Sequence, residues 1–167
     1  MAAAGQNERP PEATDWNWMA EALALAQQAE AAEEVPVGAL IVSPAGEVLG
    51  RGYNRTITDR DPTAHAEVVA LREAARRLGN HRLVGCAAYV TLEPCAMCVG
   101  AFLQARIARL VFAASDPKAG AIHSVLALAA HPQLNHAFPV TAGIRAEEAG
   151  ELLRRFFQRR RGAGPGV

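Results

Sequence analysis

An α/β sandwich with a partly parallel central sheet is the fold class that this sequence predicts, and two observations carry it. Between Val37 and Ala114, apolar or β-branched runs alternate with stretches of helical spacing in the order strand, helix, strand, helix, strand. With 167 residues, the chain can bury one sizeable core and is short for two.

From Asp15 to about Glu34, Met19, Leu23 and Ala26 recur at helical spacing on an alanine-rich background, which predicts the first helix. Val37 to Val42 and Val48 to Tyr53 read as a hairpin, joined by the turn residues Ser43-Pro44-Ala45-Gly46. A loop from Asn54 to Thr63 leads into a helix over Ala64 to Leu78, which Gly79-Asn80 ends. Cys86 to Leu92 is a buried strand, with Cys86 a small apolar residue. Pro94 suits a first helical position, so the next helix is expected to start there and to carry Cys95 and Cys98 in its first turns, ending near Ala105. Arg109 to Ala114 forms the next strand. Beyond Ser115, prolines and Gly120 mark loops, with one helical turn expected near Val125 to Ala130 and a short strand near Val140. The last helix spans Arg145 to Arg161, with Leu152, Leu153, Phe156 and Phe157 on its core side and five arginines elsewhere.

Composition narrows the function classes. Half of the residues are hydrophobic and a fifth are charged, which excludes wholesale disorder. The formal net charge is zero, so any RNA binding must come from a local basic patch and specific pockets. The opening residues have no apolar core of a signal peptide, and no run is long enough to span a bilayer. Three cysteines leave one over in any disulfide scheme, so the cytoplasm and reduced thiols are expected. Only Lys118 is a lysine among the seventeen cationic side chains.

Two motifs carry chemistry: His65-Ala66-Glu67, and Pro94-Cys95-Ala96-Met97-Cys98. A catalytic zinc takes three protein ligands from nitrogen and sulfur and keeps one position for water, and His65, Cys95 and Cys98 supply that set. Cysteines three apart share a helix face, and a helix amino terminus favours the thiolate. Glu67, two residues from the histidine, can face the activated water and move its protons. Neither motif means much alone: the dithiol also fits a redox pair or a structural zinc site, and the tripeptide occurs by chance on helix surfaces. Their joint occurrence favours a catalytic zinc ion.

His-Ala-Glu followed by Pro-Cys-x-x-Cys resembles the signature of the zinc nucleoside and nucleobase deaminases. With Glu34 to Ala39, Asn54, Asp61 to Glu67, Thr91 to Cys98 and Phe156-Phe157, the likeness extends over Trp16 to Arg161 and is strongest to the bacterial tRNA adenosine deaminase family. The resemblance implies a three-layer α/β/α sandwich of the cytidine deaminase type with a mixed sheet, spanning 15–161 between disordered tails at 1–14 and 162–167. It implies one zinc ion per subunit, a homodimer, and a tRNA anticodon stem-loop as partner. The implied reaction is hydrolytic deamination of the wobble adenosine to inosine: activated water attacks C6 of a flipped adenine, Glu67 shuttles protons and ammonia leaves.

Asn54, Ala66, Pro94, Asp116, Lys118, Asn135 and Phe157 are the substrate-side candidates that the likeness supplies. Set against these are plainer roles: Asp116 as a turn cap, Phe156-Phe157 as a core anchor, and Arg154 to Arg161 as a solvated helix face rather than a phosphate patch. Ser115, Pro117 and Glu33 depart from the family pattern. Two competing functions share the motifs: a free nucleobase or nucleoside deaminase acting on guanine, cytosine or cytidine, and a non-catalytic zinc-stabilised RNA-binding domain.

Overall fold

The computed structural model describes residues 7–164. Among them, five strands form one sheet: β1 (Gly38–Val42), β2 (Val48–Tyr53), β3 (Ala87–Leu92), β4 (Arg109–Ala114) and β5 (Val140–Ala142), in the spatial order β2-β1-β3-β4-β5. β1 runs antiparallel to β2 and β3, whereas β3, β4 and β5 run parallel. The sheet is therefore mixed. α1 (Asp15–Ala31) and α4 (Ala146–Gly162) cover one face, α2 (Ala66–Leu78) and α3 (Ala96–Ala105) the other, giving the expected three layers. No described helix is long and apolar enough to cross a membrane.

A period of two sorts the central strands between these layers. Ala39, Ile41, Ala88, Val90, Leu110 and Phe112 join the core under α2 and α3. Their neighbours Leu40, Val42, Tyr89, Val111 and Ala113 join the core under α1 and α4. Because β1 and β4 are covered on both sides, they read as continuous apolar runs. In β2, Gly50 and Gly52 let α2 come closer than any side chain would permit: a Cβ on either would run into the backbone of Ala70 or Ala66. That close seat fixes the start of α2, where His65 and Glu67 lie.

Helix ends depart from the sequence pattern for local reasons. α1 stops at Ala31 rather than Glu34, because the Glu33 N–H bonds Glu30 O at 3.0 Å and the Glu34 N–H bonds Ala29 O at 2.9 Å around Glu33 at φ 60°. This is a Schellman closure with glutamate at the position glycine usually fills. α2 starts at Ala66 rather than Ala64, with extended His65 as its N-cap. α3 starts at Ala96, so Pro94 is not its first residue: Cys95 is the N-cap with ψ 173°, and the Pro94 carbonyl accepts from Ala121 N–H at 2.8 Å. No helical turn forms at Val125–Ala130, because the Val125 and Leu126 N–H groups both reach back to Gly120 O. On α4, Leu152 and Phe156 are buried, while Phe157 turns outward at 42% exposure.

The expected amino-terminal tail also differs. Arg9 N–H donates to Val140 O and Val140 N–H donates to Asn7 O, both at 2.8 Å, so the segment from residue 7 runs along β5. An edge strand offers unpaired backbone groups, and this segment satisfies them. Residues 1–6 and 165–167 of the two expected tails lie outside the described residues.

A buried ion pair locks this edge to the sheet. Arg109 of β4 holds fully buried Asp15 with two bonds of 2.9 and 2.8 Å and reaches Thr141 Oγ1 at 2.7 Å; the Tyr89 hydroxyl donates to Asp15 at 3.0 Å. Burial works to raise the Asp15 pKa, yet the Arg109 contacts and the Glu12 N–H outweigh it and hold the carboxyl below its usual value. Removing one partner of such a pair strands the other charge, so Asp15→Asn should cost about 3–5 kcal/mol, seen as a fall in Tm of roughly 6–20 °C. With a depressed folded pKa, the Asp15 contribution is complete above the ordinary aspartate pKa of about 3.9 and is lost as pH falls through the lower folded value. Acid denaturation curves should show that loss in the natural chain and a flatter acid limb in the variant.

Candidate active site

Two helix starts meet at one edge of the α2 and α3 layer. His65, the N-cap of α2, and Cys95, the N-cap of α3, both have extended backbone, so each side chain projects from a helix amino terminus. Cys98 lies one turn into α3. His65 Nδ1 stands 3.7 Å from Cys95 Sγ and 3.5 Å from Cys98 Sγ, and all three donor atoms lie within 4.8 Å of one another.

These distances suit a tetrahedral zinc ion, for which bonds of about 2.3 Å to sulfur and 2.0–2.1 Å to nitrogen put neighbouring ligand atoms roughly 3.6 Å apart. Three donors define three corners, and among the described residues no fourth His, Cys or carboxylate joins the group. The charge distribution also fits. Hydrogen bonds from Cys98 and His65 pull the Cys95 thiol down to about 3, and the bond to Cys95 holds His65 above the ordinary imidazole value. Cys98, bonded to Cys95 and buried, is pushed up. Keeping both sulfurs as thiolates at this spacing takes a cation, which is what the donor set offers to bind.

Glu67 sits in the first turn of α2, 4% exposed, two residues from His65. Burial pushes its pKa up to about 7, where a carboxyl can both take and give a proton near neutrality.

The substrate-side candidates divide. Asn54 Oδ1 accepts the Ala66 N–H at 2.9 Å, tying the end of β2 to the start of α2 and committing the Ala66 amide. Pro94 is buried directly before Cys95. Asp116 does cap a turn: its Oδ1 accepts from the Lys118 and Ala119 N–H groups at 3.0 and 3.3 Å, while Lys118 is exposed on the same loop. Asn54 thus bonds the residue after His65, Pro94 adjoins Cys95, and the loop of Asp116 and Lys118 is tied to Glu93, two residues before Cys95. Asn135 is held from the other end of α3: its carbonyl accepts from Arg106, the C-cap of the helix whose start carries the two cysteines. Phe157 stands on α4, which packs with α1 against the other face of the sheet. Arg155 and Arg159 of that helix bind Glu30, and Arg160 bonds the Glu33 carbonyl and lies 4.9 Å from the Phe156 ring, so three of its arginines anchor the helix itself.

Two acids escaped the sequence reading. Glu34, 1% exposed, accepts from the Ile57 and Thr58 N–H groups at 2.9 and 2.7 Å and from the Thr56 and Thr58 hydroxyls, which holds the loop after Asn54. Glu93, 2% exposed, does the same for the loop after β4. Both lie in stretches that carry the family likeness, and their further signal in the sequence is an acid set against apolar runs, at Glu34-Val35-Pro36-Val37 and at Leu92-Glu93-Pro94.

Comparison with known proteins places this geometry. The pattern of the cytidine and deoxycytidylate deaminase zinc-binding region matches residues 12–114. The chain is 50% identical to the tRNA-specific adenosine deaminase of Haemophilus influenzae over 88% of its own length and 85% of that protein. Identity is 41% to the tRNA-specific adenosine deaminase of Bacillus subtilis, over 84% of this chain and 87% of the relative. Among solved structures, one from work on A-to-I editing by tRNA:A34 deaminases at the wobble position superposes with a TM-score of 0.79 and 44% identity, covering 82% of this chain and 99% of that one. A guanine deaminase from Nitrosomonas europaea follows with a TM-score of 0.72 and 26% identity, covering 92% and 89%. The histidine and two cysteines drawn together at two helix starts, beside a buried glutamate, thus stand in a chain that belongs to the zinc-binding cytidine and deoxycytidylate deaminase family, in its group of tRNA-specific adenosine deaminases.

Proposed function

We propose that this chain deaminates adenosine to inosine at the wobble position of tRNA, with His65, Cys95 and Cys98 holding zinc and Glu67 as the proton carrier. The observation that supports it most is the donor group with Glu67 against it, in a chain half identical to a tRNA-specific adenosine deaminase over most of both lengths. The anticodon stem-loop is the partner, in the cytoplasm where tRNA is modified, and the working unit is a homodimer.

Zinc held by the three donors supplies Lewis acidity that lowers the pKa of a water molecule and makes it nucleophilic near neutral pH. The remaining work falls to the chain. The Glu67 carboxylate takes a proton from the attacking water and hands it to N1 of the purine as the C6–O bond forms. It then passes the second proton to the exocyclic nitrogen, so that the C6–N bond breaks and ammonia leaves; adenosine and water give inosine and ammonia. Held within the protein, this carboxylate has little water to compete for its proton. Asn54 keeps the α2 start in place and has its NH2 group left to donate, Ala66 and Pro94 form the wall beside the base, and Asp116 and Lys118 face the nucleotide from the loop after β4.

A second reading has a specific support, the 26% identical guanine deaminase fold. Incubation of the purified protein with an adenosine-34 anticodon stem-loop and, separately, with guanine and free nucleosides distinguishes the two. Inosine in the stem-loop with no turnover of guanine or cytidine is expected; the reverse pattern overturns the proposal. Glu67→Ala should keep one zinc per chain by elemental analysis and lower kcat by at least about 10²-fold, the scale of general acid–base catalysis. Cys98→Ser should instead lose most of its zinc and, with it, all measurable turnover, because serine offers no thiolate; full metal occupancy in that variant would remove Cys98 from the ligand set.

A further inference from the structure

Glu93 lies between β3 and the turn that carries Cys95, and both oxygens of its buried carboxylate face one loop. Oε1 accepts N–H bonds from Ile122, His123 and Ser124 at 3.1, 2.8 and 3.0 Å. Oε2 accepts the Asp116 N–H at 3.0 Å and the Ser124 hydroxyl. Gly120 completes the enclosure: a Cβ there would fall inside the carboxylate itself, so the loop wraps the acid more tightly than any other residue would allow. The loop also bonds Pro94 through the Ala121 N–H at 2.8 Å, so it is tied to both residues that immediately precede Cys95.

We propose that Glu93 is a positioning residue. Its carboxylate is an internal anion seated in a nest of loop amides, and it fixes residues 116–124 against the metal-bearing turn so that Asp116 and Lys118 meet the substrate in one arrangement. Consecutive backbone N–H groups converging on a point are an anion-binding device, and here the chain fills it with its own side chain. A carboxylate suits the nest because it only accepts; glutamine would turn an NH2 group against donors that have no other partner at that point. What the loop meets rests on the deaminase reading, whereas the clamp itself needs no substrate.

Amide exchange by NMR and steady-state kinetics on the zinc-loaded full chain test it, with Glu93→Gln, Gly120→Ala, Ser124→Ala and the Glu93→Gln/Gly120→Ala double variant. Zinc should stay at one per chain. Exchange at Asp116, Ile122, His123 and Ser124 should quicken by at least about tenfold in Glu93→Gln and Gly120→Ala, and less in Ser124→Ala, while amides of α2 and α3 keep their protection. KM for the stem-loop should rise about tenfold with a smaller change in kcat, and the double variant should be no worse than the worse single, since both break one contact. If Glu93→Gln does not fold, Gly120→Ala and Ser124→Ala carry the same readouts. Unchanged loop exchange, or a loosened loop with unchanged KM, overturns the proposal. A natural chain that leaves the stem-loop untouched would instead defeat the deaminase reading, and the exchange data would still decide the clamp.

Discussion

The convergence of one imidazole nitrogen and two sulfurs within 4.8 Å is the constraint around which this molecule is arranged. The two sulfurs repel one another once both carry negative charge, so the chain must hold the group on rigid supports. Two helix amino termini do that. Each presents free backbone N–H groups and the positive end of its dipole, which favours thiolate and carboxylate at the same place. Cys95 and Glu67 answer that field differently because of burial: the thiol beside His65 ionises readily, and the enclosed carboxyl keeps its proton to about neutral pH.

Support for those helix starts comes from elements that carry no chemistry. The side chain of His65, the N-cap of α2, makes no capping bond, and Asn54 from the end of β2 bonds the first amide of the helix instead. Gly50 and Gly52 remove the side chains that would push the same helix off the sheet. α3 is set by its crossover between β3 and β4, which are parallel and so require a connection over one face. Hydrophobic burial fixes where the layers sit, and a handful of glycines and polar contacts fixes the last few ångströms.

Much of this was legible in the sequence because it rests on periodicity. β1 and β4 announce themselves as apolar runs, and β2 matches its predicted bounds residue for residue. The donor residues were legible because His65 with Glu67 and Cys95 with Cys98 are rare enough in combination to require a common purpose. Legibility failed where a partner lies far along the chain. Nothing near Asp15 signals Arg109, ninety-four residues away, and Glu34 and Glu93 look like surface acids until the fold encloses them. The position of Asn135 is hidden for a related reason: its carbonyl is bonded by Arg106 at the carboxyl end of α3, a pairing no local pattern encodes. Phe157 followed Phe156 in the apolar count, but adjacent helical residues point about 100° apart, so only one of them reaches the core.

The long connection from β4 to β5 shows how a segment without helix or strand can stay in one shape. Loops much beyond about 12–15 residues are uncommon in compact domains because ordering them costs entropy that few contacts return. Residues 115–139 form such a loop, and in its first half the N–H groups of Asp116 and of Ala121 to Leu126 are gathered on Glu93, Pro94 and Gly120 rather than along a regular ladder. A buried carboxylate is costly when unpaired, so once Glu93 is enclosed the loop amides must remain around it. The penalty for leaving the acid unsatisfied thus becomes the force that orders the loop, and it acts next to Cys95, where a displacement of one ångström would matter most.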